Sequence, residues 1–254
     1  MADFINNAVF GWYPYFCLTV FIVGSIIRFD REQYTWRSGS RQLLRRSQLT
    51  WGSNLFHVGI LIIFLGHLIG LLTPIQIFDA VGISHNFKQM MAIVIGGVAG
   101  LMCLVGIALL THRRLFDPRI RRTSSTGDIV ILLMLFAQLL LGLATIPVSL
   151  GHLDGHEMVK FMSWAQGVLT LQPDVAEQIA GVSPIFKLHL FLGMTIFLVF
   201  PFTRLVHIWS APVWYLGRRG YQIVRSSGRP DSVTRPAPAR VQREAQWPKP
   251  GQLQ

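Results

Sequence analysis

Residues 52–73 read GSNLFHVGILIIFLGHLIGLLT. The stretch holds no Asp, Glu, Lys or Arg, and its only ionisable side chains are His57 and His67. A helix needs about 20 mostly apolar residues to cross a bilayer. Only a backbone that closes its own hydrogen bonds tolerates lipid. These residues therefore read as a membrane-crossing helix with two histidines inside it.

Four further apolar blocks lie at roughly 9–28, 89–111, 128–148 and 186–210. The expected fold class is all-α, an integral membrane bundle of five transmembrane helices. Composition agrees: 51% of residues are hydrophobic and 14% charged, against about 25% charged in a soluble domain. Pro14 falls in the first turns of block one, Pro147 near the end of block four and Pro201 inside block five, where it is expected to kink the helix.

The net charge of +11 suits nucleic acid, but its placement excludes that reading. The arginines occupy 28–50, 111–127 and the stretch from Arg204 to Arg243; segments 74–88 and 148–185 have none. With five crossings, every arginine lies on one side of the membrane. The positive-inside rule then puts the N-terminus outside and the C-terminus inside, with lipid and no nucleic acid as partner. Residues 1–225 form the expected membrane domain. The tail 226–254, rich in Pro, Arg, Ser and Gln, reads as a disordered cytoplasmic segment. The long outside segment contains an expected amphipathic helix, Glu157–Leu171, with Trp164 at the interface.

Cys17 and Cys103 both lie in apolar blocks and form no CxxC, so no common zinc or Fe–S motif is present. No CxxCH supports covalent haem. MADFINNAVFGW lacks a basic n-region and carries Asp3, so it does not read as a cleaved signal peptide. No GxSxG, HExxH or P-loop supports a hydrolase.

Four histidines fall within crossings: His57 and His67 in block two, His189 and His207 in block five. An ionisable residue inside a membrane helix marks function by default, although a lone one is commonly just hydrogen-bonded to a neighbour. Blocks two and five are separated by three crossings and run antiparallel. His57 then meets His207 on the inner side, and His67 meets His189 on the outer side. Two imidazoles facing across a bundle can ligate one haem iron axially. The spacings differ: ten residues make about 15 Å of rise and eighteen make about 27 Å. Eighteen residues also make five whole turns, which puts His189 and His207 on one face of a continuous helix. Gly59, Gly66 and Gly193 give room for a haem or for helix packing. Arg28 and Arg204, at inner ends of spans, suit either propionates or headgroups.

SNLFHVGILIIFLGH at 53–67, followed by LLTP, and FKLHLFLGMTIFLVFPFTRLVHIWS at 186–210 resemble helices of the gamma (cytochrome b) subunit of respiratory nitrate reductase. QYTWR at 33–37, RRLF at 113–116, TIPVS at 145–149 and WAQGV at 164–168 carry the same resemblance. It runs from about residue 11 to 222; the Arg-rich tail departs from it. The resemblance implies two haem b groups, an inner one on His57 and His207 and an outer one on His67 and His189. It implies a quinol site at Gly66, His67 and Lys88. It implies an iron–sulfur beta subunit and a molybdenum catalytic alpha subunit on the cytoplasmic face of the bacterial inner membrane. On residues alone, the favoured reading of Lys88 is a lysine snorkelling at a helix end, which the resemblance reverses, and Asp79 reads as a solvated loop acid. Rival readings are a di-haem anchor serving another redox enzyme, and a membrane anchor or small transporter without haem.

Overall fold

The computed structural model describes residues 2–36, 44–151, 153–210 and 217. All of these except Gly217 belong to one compact unit, Met1–Ala211. The expected disordered tail, 226–254, lies outside the described residues. Among the described residues there is helix and no strand.

Five helical stretches are long and apolar enough to cross a membrane. The first runs over Asp3–Arg31; its main part is α1, Tyr13–Arg31, which follows a π-helical turn at Ala8–Trp12. Pro14 sits at the start of α1, where its missing N–H costs little. The next three are α2, Arg46–Leu72, α3, His85–Phe116, and α4, Thr126–Leu150. A shorter helix, α5, His156–Leu169, lies in the segment after α4. The last span contains α6, Pro184–Val199.

Local chemistry sets the boundaries. Ser84 caps α3 by accepting from Phe87 N–H at 3.3 Å, and Ser125 caps α4 by accepting from Asp128 N–H at 3.1 Å. Asp117 and Pro118 end α3. Asp117 is only 3% exposed, accepts from the N–H groups of Arg119 and Ile120, and pairs with Arg45 at 3.0 Å. Burial pushes its carboxyl up. Those N–H groups and the guanidiniums of Arg119 and Arg45 outweigh that and hold it below the usual carboxylate range.

The last span departs from expectation. Instead of one helix over 186–210, α6 ends at Val199. A 3₁₀ turn follows at Phe200–Phe202, Thr203 is extended, and Arg204–Ser210 forms a second 3₁₀ stretch. Pro201 donates no hydrogen bond and its ring crowds the preceding turn, so this is a break rather than a kink. The freed carbonyls of Pro201 and Thr203 accept from Arg28 Nη1 at 2.5 and 2.8 Å. Val206 O accepts from Trp36 Nε1.

Neighbours pack in the order α2–α3–α4–α6–α1, while α2 makes no extensive contact with α6 or α1. A cleft therefore separates α2 from α6. Cys103, Ile107 and Leu139 join α3 and α4, flanked by Phe56 and Leu143. At the arginine-rich end, Ile131, Phe200, Leu205 and Val206 form a second core. At the opposite end, Phe10, Trp164, Val168 and Ile179 form a third. Trp164 was expected at the interface. It is 3% exposed and donates to Phe10 O at 2.9 Å, so it is a core residue that ties α5 to the N-terminal helix. Leu61, Phe64 and Leu65 on α2 and Val94 and Val98 on α3 remain exposed, as suits a lipid environment.

The α2–α3 contact is the closest in the bundle. A Cβ on Gly59 would lie 2.7 Å from Ala99 O and from Cys103 Cβ. A Cβ on Gly106 would collide with Phe56 N and lie 2.8 Å from its Cα. Gly59 thus serves helix packing, not the cleft. Gly59→Leu is expected to cost about 1–3 kcal/mol or more through overpacking. It should lower the melting temperature of the detergent-solubilised protein. Gly96→Ala, where a Cβ would meet nothing within 4 Å, is expected to leave it unchanged or slightly raised.

Candidate functional site

Two histidine pairs span the cleft between α2 and the last span. The ring centroids of His57 and His207 are 6.3 Å apart, with planes at 71°. Those of His67 and His189 are 6.2 Å apart, with planes at 43°. The ten-residue spacing on α2 meets the eighteen-residue spacing from α6 into the following 3₁₀ stretch because the last span is broken at Pro201. His189 stands on α6, whereas His207 stands on the 3₁₀ stretch. The one-face relation expected of a continuous helix therefore does not apply.

The separations fit one metal ion between each pair. An imidazole nitrogen lies about 2 Å from a bound first-row metal ion, and that nitrogen is about 1 Å from its own ring centre. Two opposed imidazoles on one ion then have centroids about 6 Å apart. Among the described residues no three His, Cys, Asp or Glu side chains cluster as a metal site. Paired histidines suit a metal that brings its own in-plane ligands and needs only two axial ones, as haem does.

The ring nitrogens are already sorted at three of the four positions. Nδ1 of His57 donates to Ser53 O at 2.7 Å, that of His67 to Ile63 O at 2.8 Å, and that of His207 to Arg204 O at 2.6 Å. A carbonyl can only accept, so the Nδ1 proton is fixed and Nε2 is left with a free lone pair. His189 differs. Its Nδ1 is buried without a partner, and its Nε2 lies 3.4 Å from Gln138 Nε2.

The remaining predicted residues take these places. Lys88 is only 9% exposed, so it does not snorkel. Its Nζ donates to Gly70 O at 3.0 Å, approaches Met162 Sδ at 2.8 Å, and lies 3.7 Å from the centre of the Phe78 ring. Gly70 is three residues beyond His67, so Lys88 sits near the His67–His189 pair. A Cβ on Gly66 would meet nothing within 4 Å, so that face of α2 is open. A Cβ on Gly193 would lie 3.2 Å from the Gln138 amide nitrogen. Arg28 is committed to the broken span through Pro201 and Thr203. Arg204 lies 3.8 Å from Asp128, which also pairs with Arg114 at 3.3 Å. Asp79 is exposed and 3.8 Å from His85 Nε2.

Sequence reasoning passed over Gln138 and Gly142 on α4. A Cβ on Gly142 would lie 3.1 Å from His189 Cε1, so this glycine makes room for the ring. Gln138 had a visible signal: it is the lone polar side chain in the run 129–144. Gly142 had none, because its role depends on which ring packs opposite it.

Comparison with known proteins covers most of the chain. Respiratory nitrate reductase 1 gamma chain of Escherichia coli (strain K12) is 51% identical over 224 residues, 88% of this chain and 99% of that protein. Respiratory nitrate reductase 2 gamma chain of the same strain is 52% identical over 227 residues, 89% of this chain and 99% of that protein. Nitrate reductase gamma chain of Bacillus subtilis (strain 168) is 38% identical over 220 residues, 87% and 98% respectively. The sequence pattern of the family described as nitrate reductase gamma subunit matches residues 6–227. With five membrane-length helices and a match over most of its length, this chain belongs to the nitrate reductase gamma subunit family.

Proposed function

We propose that this chain is the membrane di-haem cytochrome b subunit of a respiratory nitrate reductase. It oxidises quinol near the outer side of a bacterial inner membrane and delivers electrons inward to an iron–sulfur subunit. Nitrate is reduced on a separate molybdenum subunit docked on the cytoplasmic face. The observation that carries this reading is the pair of opposed histidines at two levels of one cleft, each with ring centroids about 6 Å apart.

His57 and His207 hold the inner haem, and His67 and His189 the outer one. When bound, such haems supply one-electron carriage between the two levels. The Nδ1–H bonds of His57, His67 and His207 fix each ring with Nε2 toward the cleft. Arg204, near the inner level, offers charge to a propionate while Asp128 steadies it. Arg28 contributes to that level by holding the broken span that carries His207.

At the outer level, Lys88 and His67 with the open face at Gly66 form the quinol site. The Lys88 ammonium is held by a backbone carbonyl, a thioether and an aromatic face. All three are weaker partners than a carboxylate, so a quinol oxygen can displace one of them. Protons from quinol leave on the outer side and electrons move inward, which separates charge without moving a proton across the membrane. The arginine-free outer segments and arginine-rich inner ones support this orientation.

Two experiments test the reading on the complex expressed with its partner subunits. A dithionite-reduced minus oxidised spectrum with a pyridine haemochrome assay is expected to give two b haems per chain. His57→Ala or His207→Ala should remove one haem and leave the other. His67→Ala or His189→Ala should remove the second and abolish quinol oxidation. A haem-free, well-folded chain would favour the anchor or transporter reading. Loss of both haems from His57→Ala alone would overturn the pairing. Separately, alkaline phosphatase fused within 148–185 is expected to be active and fused within 111–127 inactive. The reverse pattern would invert the topology.

A further inference from the structure

Lys88 stands in the first turn of α3, and three other elements close round its ammonium. The carbonyl of Gly70, in the last turn of α2, accepts from Nζ at 3.0 Å. Met162 Sδ, on α5, lies 2.8 Å from Nζ. The Phe78 ring, in the short helix Ile75–Ala80, has its centre 3.7 Å away. Among the described residues no Asp or Glu pairs with Lys88. A carbonyl, a sulfur and a ring face thus cover the ammonium, and a substrate oxygen that accepts from Nζ has to replace one of them.

The three partners are unequal. A backbone carbonyl is a full acceptor with two lone pairs, whereas a thioether sulfur is a weak one. An aromatic face holds a cation more firmly the less water reaches it, and this one is buried against Lys88. The sulfur is therefore the contact that yields at least cost. It is also the one that can move. α5 itself is fixed, since Trp164 donates to Phe10 O at 2.9 Å and Gln166 Nε2 to Leu71 O at 3.0 Å and Thr73 O at 3.2 Å. Met162 is 1% exposed between those anchors. Its side chain has three rotatable bonds, so Sδ can swing away from Nζ while the helix stays in place.

We propose that Met162 is the positioning residue for Lys88 in the quinol site. Its sulfur holds the ammonium when no substrate is bound and gives way to a quinol oxygen on binding. A weak acceptor at this position orients Lys88 without competing strongly for it, so substrate affinity falls as the acceptor at residue 162 is strengthened. The proposal rests on the reading of Lys88 as part of the quinol site.

The test is equilibrium dialysis of menadione, whose carbonyl oxygens accept from an ammonium, against the full complex carrying wild type, Met162→Leu or Met162→Gln. Leucine keeps the apolar volume, a swap that cores tolerate well, and removes the acceptor. The Kd for menadione should then fall about threefold, the factor carried by a typical net hydrogen bond. Glutamine keeps the length and supplies an amide oxygen, a stronger acceptor than sulfur. It should raise the Kd about threefold. The KM for menadiol, with nitrate as acceptor, should move in the same directions. Opposite signs separate this role from packing, because a contact that only fills space would be loosened by either change. A Kd in Met162→Leu that rises or stays at the wild-type value overturns the proposal. So does a Kd in Met162→Gln that falls or stays unchanged. If Met162→Gln fails to accumulate, the leucine arm decides alone. Lys88→Ala tests the reading beneath: it should weaken menadione binding about tenfold. Wild-type affinity in that variant would sink the quinol-site reading rather than the role of Met162 within it.

Discussion

Arg28 Nη1 reaches the carbonyls of Pro201 and Thr203, at 2.5 and 2.8 Å, where the last span comes apart. A helix that breaks at membrane depth exposes backbone groups that lipid cannot satisfy. The guanidinium, with Trp36 on Val206 O, supplies what the missing turns would have supplied. The chain can then leave the helix axis and return toward α2. That detour brings His207 opposite His57, ten residues from His67, although His207 is eighteen residues from His189. A continuous helix would leave roughly 12 Å of mismatch in rise. Arg28 therefore acts at this level through the backbone, whatever charge it also lends to the site.

The second constraint is how α2 divides its surface. Gly52 and Gly59 lie seven residues apart, on one face, and let α3 approach to backbone contact. His57 precedes Gly59 by two residues, about 200° round the helix, which sends it to the far side. His67 lies about 80° from Gly59 by the same reckoning. Tight packing on one side frees the other from holding the bundle together. The face toward α6 then keeps a cleft, with a bare Gly66 beside His67. The result is a rigid wall on one side of the helix and an open face on the other.

Much of this was legible in the sequence because it is periodic or compositional. Span number and approximate limits follow from apolar blocks, and the His57–His207 and His67–His189 proximity follows from antiparallel topology. Other features depend on contacts that no pattern encodes. Pro201 signalled a disturbance, but its size depended on whether Arg28 and Trp36 could satisfy the freed carbonyls. Trp164 carried the usual mark of an interfacial residue, yet Phe10 O captures its N–H in a buried core. Lys88 looked like a helix-end anchor, and the neighbouring Gly70 carbonyl and Phe78 ring draw it inside instead. Gly142 is one small residue among many until His189 is placed against it.

The two histidine pairs are built by different physics. The one at the arginine-rich end joins an α-helix to a 3₁₀ stretch, and its neighbours are charged: Asp128 with Arg114 and Arg204. The other joins two helices, and its neighbours are an amide, two glycines and a lysine held by neutral groups. The ring planes differ accordingly, at 71° and 43°. Surplus positive charge stabilises an added electron wherever it is not fully screened, whereas an amide acts only over hydrogen-bond distance. The charges at the arginine-rich level therefore act over a longer range than the neutral groups at the other.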